Sequence, residues 1–186
     1  WEDADEVRTA EWLQLRGVNV APMVVGRAIG AVARDHRIHP VRDWLDHLRW
    51  DGTRRIETWT STYLGAEPTA FHHTVGALWL ISAVARIFRP GVKADHMLIL
   101  EGQQGARKST ALKVLAGEEW FTDELPELGS KDAAIHMQGI WIVEIAELDA
   151  IGRAEVSRIK AFLTRTTDRF RPPYGRYTVE VPRQCV

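Results

Sequence analysis

The stretch Leu98-Ile99-Leu100-Glu101-Gly102-Gln103-Gln104-Gly105-Ala106-Arg107-Lys108-Ser109-Thr110 restricts what this chain can fold into more than any other. Met97 to Leu100 is a short continuous apolar run, as in a strand covered on both faces. Lys108 to Leu115 reads as a helix that stops at Gly117. Between them, Gly102, Lys108 and Ser109 stand at the spacing G-x-x-x-x-G-K-[ST], with Gly105 inside the loop. Backbone N–H groups from Gly102, Gln104, Gly105, Ala106 and Arg107 through Thr110 can cradle phosphate oxygens at such a turn. Lys108 brings a compact positive charge to the outer phosphates, and the Ser109 hydroxyl a ligand for Mg²⁺. Arg107 stands where the pattern has glycine. A residue with a Cβ is expected there only at negative φ, its side chain turned away from the phosphates or joining them. A glycine-bearing turn between any strand and helix has the same outline; the flanking runs favour phosphate binding.

A phosphate loop of this kind works with an acid at the end of a neighbouring strand. Ile140-Trp141-Ile142-Val143-Glu144 supplies a buried strand and then a carboxylate, with Glu147 and Asp149 close behind. Glu144 is assigned to the metal and Glu147 to polarising water, with the reverse assignment open. On an ideal strand the two would face opposite ways, so the chain must turn between them if both serve. Glu147 and Asp149 can equally be solvated acids near a helix N-terminus.

Charge is segregated along the chain although 24 Lys and Arg nearly balance 25 Asp and Glu. Gly152 to Arg183 holds eight basic and three acidic side chains, a net of +5, while Glu118 to Glu127 holds five acids and no base. Phe170, Tyr174 and Tyr177 are interleaved with the arginines, a combination suited to single-stranded nucleic acid. A solvated basic face, or ion pairs with the acidic segment, is the plainer alternative.

Up to Pro90 the pattern is helical, with apolar stripes at Ala10–Leu15, Val24–Val32, Val41–Leu48, Ile56–Tyr63 and Phe71–Phe88. The last is apolar on more than one face, so burial is expected. No run of 18 apolar residues occurs, which points away from a membrane span. The single Cys185 excludes an internal disulfide framework and fits a reducing, cytoplasmic setting. It reads as a buried cysteine rather than a nucleophile. His36-x-x-His39 and His72-His73 lack the further ligands of a zinc site. An acidic start without Met and a strand-like end suggest a piece of a longer protein.

Taken together, Gly102–Thr110, Trp120-Phe121-Thr122-Asp123, Gly129-Ser130-Lys131-Asp132, Trp141–Leu148, Lys160-Ala161-Phe162-Leu163 and Asp168–Arg176 resemble the virulence-associated E family. His39-Pro40-Val41 and Trp50-Asp51-Gly52 resemble its helical lead-in. The family is encoded largely by phages and integrated mobile elements and is similar to superfamily 3 helicases and to the helicase half of viral primase-helicases. The resemblance implies an α/β P-loop NTPase, AAA+-like and incomplete at the C-terminus, preceded by an all-α region. Residues 1–92 would be that helical region and 93–186 the ATPase core, truncated before its last strands. It further implies ATP and Mg²⁺ as cofactors, a hexamer-like homo-oligomeric ring, and single-stranded or forked DNA as partner. DNA contact would fall to Lys160, Arg165, Arg169 and Arg176 and a neighbour's nucleotide to Arg171, with either part open to any of Arg169, Arg171 and Arg176. Two other readings stay open: a non-hydrolysing nucleic-acid-binding or scaffold module, for which Arg107 speaks, and a small-molecule phosphotransferase.

Overall fold

The computed structural model describes residues 2–146, 153–173 and 175–186, with the backbone alone at 153–155. The chain divides into two compact units, Trp1–Asp43 and Trp44–Val186. In the first, α1 (Asp3–Gln14) packs on α2 (Pro22–Asp35) through Ala10 and Val25, both buried. The Asp5 carboxylate accepts the Glu2 N–H at 2.8 Å, and Pro22 opens α2 at a position where no N–H is needed. The division falls inside α3 (Pro40–His47).

The second unit is organised around α5 (Ala70–Phe88), which is 19 residues long with a mean hydropathy of 1.2. By length and composition it is apolar enough to cross a membrane. Its inward face is Gly76, Trp79, Ala83, Arg86 and Ile87, and the last five of its 19 residues carry a buried guanidinium. Burial is confined to that face: Phe71, Leu78 and Ile81 are exposed, contrary to the expectation of a helix buried all round. The apolar residues simply cover more of the helix than its neighbours do.

Arg86 is 3% exposed. Its guanidinium donates to the carbonyls of Val92 at 3.2 Å, Cys185 at 2.6 Å, Ala94 at 3.3 Å, and Leu163 and Arg165 at 3.5 Å. Burial pushes its pKa below the ordinary arginine value. Five carbonyls from three stretches of chain therefore converge on one side chain.

Around α5 the strands are short. β1 (Phe121–Thr122) and β2 (Ile142–Val143) pair in parallel, Phe121 opposite Ile142 and Thr122 opposite Val143. The Trp141 and Glu144 N–H groups donate to Trp120 and Thr122, each at 2.8 Å. On the other flank Val186 donates to Trp141 at 3.0 Å and accepts from Val143 at 2.9 Å. β2 is thus hydrogen-bonded on both sides. The Trp141 indole N–H anchors it to α5 by donating to the Ala83 carbonyl at 3.0 Å.

Met97–Leu100 forms no regular element, although its apolarity suggested a strand. Both flanks of β2 are already taken, and the run has no ladder partner among the described residues. The helix after the loop is α6 (Lys108–Ala116), and α7 (Lys131–His136) and α8 (Arg153–Leu163) follow. β3 (Thr167–Phe170) and β4 (Val179–Pro182) form an antiparallel hairpin with Thr167 opposite Pro182. Asp168 and Phe170 point inward and are buried, while Thr167 and Arg169 are exposed. Met137, Phe162 and Cys185 close a small core behind this hairpin, where burial raises the Cys185 thiol pKa.

The last piece that bears on the loop is α4 (Trp59–Leu64), capped by Gly65 at φ 70°. It lies so close to α5 that a Cβ on Gly76 would come within 2.5 Å of Thr60 Cγ2 and 2.8 Å of Trp59 Nε1. Trp59 and Trp79 stack there at 6.0 Å between ring centroids. Gly76→Ala is expected to lower stability by about 2 kcal/mol through overpacking. Arg86→Met is expected to cost more, about 3–5 kcal/mol, because buried carbonyls lose their donor. Urea denaturation of the two variants checks both the values and their order.

Candidate functional site

The Gly102–Thr110 loop leaves the half-buried Leu100 and is exposed from Glu101 to Arg107. A turn closes it, with the Ala106 N–H donating to the Gln103 carbonyl at 3.2 Å and Gly105 at φ 81°. Arg107 is the N-cap of α6 and sits in the left-handed region at φ 58°, ψ 33°. This corrects the expectation of a negative φ. The backbone keeps the conformation that a glycine would hold, and arginine accepts its steric cost of roughly 1–2 kcal/mol. No other described residue except glycine has a positive φ.

α6 carries no side-chain cap, so the first N–H groups of the helix have no side-chain acceptor there. They face the same region as the Lys108 ammonium, which folds back over the loop. Lys108 Nζ donates to the Gly102 carbonyl at 2.9 Å and to the Gln103 carbonyl at 3.2 Å. A helix N-terminus and an ammonium at one turn make an anion site by elementary electrostatics.

One residue further on, the Ser109 hydroxyl donates to Glu144 Oε1 at 2.7 Å across 35 residues of chain. Glu144 stands at the end of β2, placed there by the Thr122 and Val143 contacts. Its Oε2 is buried and has no hydrogen-bond partner among the described residues. A buried carboxylate oxygen without a partner is costly unless something else occupies its lone pairs. Ser109 Oγ and the Glu144 carboxylate together form a hard-oxygen donor set of the kind Mg²⁺ takes, and so fit that ion.

The structure therefore brings Gly102, Gly105, Ala106, Arg107, Lys108, Ser109 and Glu144 into one site. Gln104 lies at the exposed tip of the turn, and Thr110 is exposed on the first turn of α6. Glu147 and Asp149 lie outside the described residues. Arg171 and Arg176 are exposed in the β3–β4 connection, Lys160 is exposed on α8, and Arg165 is exposed just after α8. Among the described residues none of these four is hydrogen-bonded to the loop.

The basic arm is less uniform than its composition. Arg183 is buried, and its guanidinium forks onto the Asp168 carboxylate, with Nε donating to Oδ2 at 2.9 Å. It also donates to the Phe162 carbonyl and lies 4.3 Å above the Phe162 ring. Arg158 meets Glu127 at 3.1 Å and Arg169 meets Glu180 at 3.7 Å, both pairs exposed. Surface pairs of this kind hold their arginines weakly.

Sequence reasoning missed the wall that α4 raises beside the loop. Trp59 to Leu64 packs against α6, and Tyr63 and Gly65 line a concavity shared with Gly102, Ala106, Arg107 and Lys108. The stripe at Ile56, Trp59 and Tyr63 marked a helix but carried no sign of what it would face.

A family model described as the virulence-associated protein E-like domain matches residues 45–186 of the chain. No curated protein matches it.

Arg107 separates two effects. Arg107→Gly relaxes the left-handed position but loosens the unfolded chain, so its stability is expected to equal that of the unaltered protein or exceed it by up to ~1 kcal/mol. Arg107→Val puts a β-branched residue at positive φ and is expected to lose about 1–2 kcal/mol. Thermal and urea unfolding of the two variants measures the difference; equal losses would mean that the left-handed conformation is not held.

Proposed function

We propose that this chain, which belongs to the virulence-associated protein E-like family, is the nucleotide-binding region of an ATP-dependent, helicase-like replication protein of a phage or mobile element. In this reading residues 93–186 are the first part of an AAA+-like P-loop core, and the helical segments before it are its lead-in. The observation that supports it most is the Ser109–Glu144 hydrogen bond at 2.7 Å beside the Lys108 ammonium. Two residues far apart in sequence, each of the type that phosphoryl transfer requires, meet at the start of one helix and the end of one strand.

The roles follow from chemistry. N–H groups of the loop and of the α6 N-terminus hold phosphate oxygens, and the Lys108 ammonium exchanges its carbonyl partners for the outer phosphates. Ser109 and Glu144 would hold Mg²⁺, which when bound offsets the charge on the phosphate chain. Glu147 is assigned to orienting water, and Arg171 to a neighbouring subunit's nucleotide in a ring. Lys160, Arg165, Arg169 and Arg176 would grip single-stranded or forked DNA. Arg169 is compatible with that role because its exposed pair with Glu180 is weak.

Arg107 supports a second reading, a module that keeps the fold and binds DNA without useful hydrolysis. A strained arginine in place of glycine alters the loop at the position next to the lysine.

The deciding measurement is Mg²⁺-dependent ATP hydrolysis with and without single-stranded DNA. Turnover is expected to rise with DNA and to fall about 100-fold or more in Lys108→Ala, as when a key electrostatic contact is removed. Glu144→Gln is expected to lose turnover while keeping DNA binding. If the unaltered protein binds DNA but shows no turnover, the ATPase reading falls and the scaffold reading replaces it.

A further inference from the structure

The concavity between α4 and α6 has a composition that phosphate binding does not explain. Tyr63 on α4 is 64% exposed, Val114 on α6 is 78% exposed, and Ile99 before the loop is 56% exposed. All three line the same hollow as Arg107 and Lys108. Large apolar side chains scattered singly over a surface need no explanation, but three from different elements around one hollow make a ligand-sized apolar site. Its edge is the phosphate-binding loop itself, so one molecule with an anionic end and a flat apolar end would satisfy both parts.

On the other flank of the loop the space is smaller, a cavity of about 120 Å³ lined by Lys108, Glu144, Phe162 and Arg183, against about 850 Å³ beside α4. There Ser109 is bonded to Glu144, and the chain behind it carries the buried Arg183–Asp168 pair and Phe162. A nucleotide whose phosphates rest on the loop therefore has its larger open side toward α4.

We infer that this hollow takes the base and ribose of the nucleoside triphosphate, with the Tyr63 ring stacking on the base and Val114 packing on its opposite side. The inference rests on the loop reading above. It makes the helical lead-in part of the nucleotide site: α4 is held in place by Gly76 and the Trp59–Trp79 stack, and presents Tyr63 to the loop. Aromatic stacking on a base is tolerant of base identity, so the hollow contributes affinity more than selectivity.

Calorimetric titration with two probes, ATP and inorganic tripolyphosphate, tests this. Tyr63 and Val114 are exposed, so Tyr63→Ala and Val114→Gln leave the core untouched. Each is expected to weaken ATP binding by on the order of tenfold, the size of one lost base–aromatic or apolar contact, while tripolyphosphate binds as before. Lys108→Ala is expected to weaken both probes. Unchanged ATP affinity in both hollow variants, or equal loss of both probes, overturns the hollow while the loop reading stands. Failure of the unaltered protein to bind either probe overturns the loop reading, and the hollow with it.

Discussion

The guanidinium of Arg86 is the point on which the larger unit depends. A single buried cation satisfies carbonyls of Val92 and Ala94 just after α5, of Leu163 and Arg165 at the end of α8, and of Cys185 near Val186. Each of those carbonyls ends a segment that has no long ladder of its own. With strands of two to four residues, cooperative sheet formation supplies little, and the fold needs a hub that bonds to loops. Arginine suits that place better than lysine, since its planar fork presents five donors in fixed directions.

From that hub the geometry of the loop follows. Holding the Cys185 carbonyl positions Val186 against Trp141 and Val143, which fills one flank of β2; β1 fills the other. The Trp141 indole then pins β2 to the Ala83 carbonyl of the same helix that bears Arg86. Glu144 emerges from this clamp at a fixed point, and Ser109 reaches it. The buried Arg183–Asp168 fork works in the same direction, because it ties the β3–β4 hairpin to the end of α8. Such a pair adds little net stability over an apolar substitute but does specify one arrangement of the segments it joins.

Much of this was legible in the residues. Stripes at helical spacing marked α1 to α5, the run between the loop and Gly117 marked α6, and Gly65 marked the stop of α4 correctly. The spacing of Gly102, Lys108 and Ser109, with the acid after Ile140–Val143, pointed to residues that do meet in space. What could not be read was set by tertiary pairing. β1 and β3 are too short and too polar to show a period, and α7 is a six-residue helix marked only by its Ser130 cap. Met97–Leu100 had the right composition for a strand, but both flanks of β2 are taken by β1 and Val186, and the run has no ladder partner among the described residues. The arginine count of the basic arm hid that Arg183 belongs to the interior. The one arginine of a largely apolar helix was the available sign of the Arg86 hub.

Arg107 shows how the loop can depart from its motif without losing its shape. Glycine is favoured there because the turn into α6 demands a left-handed residue, and the demand is on the backbone rather than on the side chain. Arginine meets it at φ 58°, so the N–H groups that follow keep their directions, and the cost is borne by stability. The guanidinium is meanwhile exposed at the rim of the hollow that Tyr63 and Val114 line. On the proposed reading, substitution at this position would therefore alter the charge around an anion more than the backbone that would cradle it. Lys108 resting on two loop carbonyls makes the same point from the other side. The loop satisfies its own cation, and an anion that displaces those carbonyls must exceed them in charge, which a polyphosphate does and a neutral ligand does not.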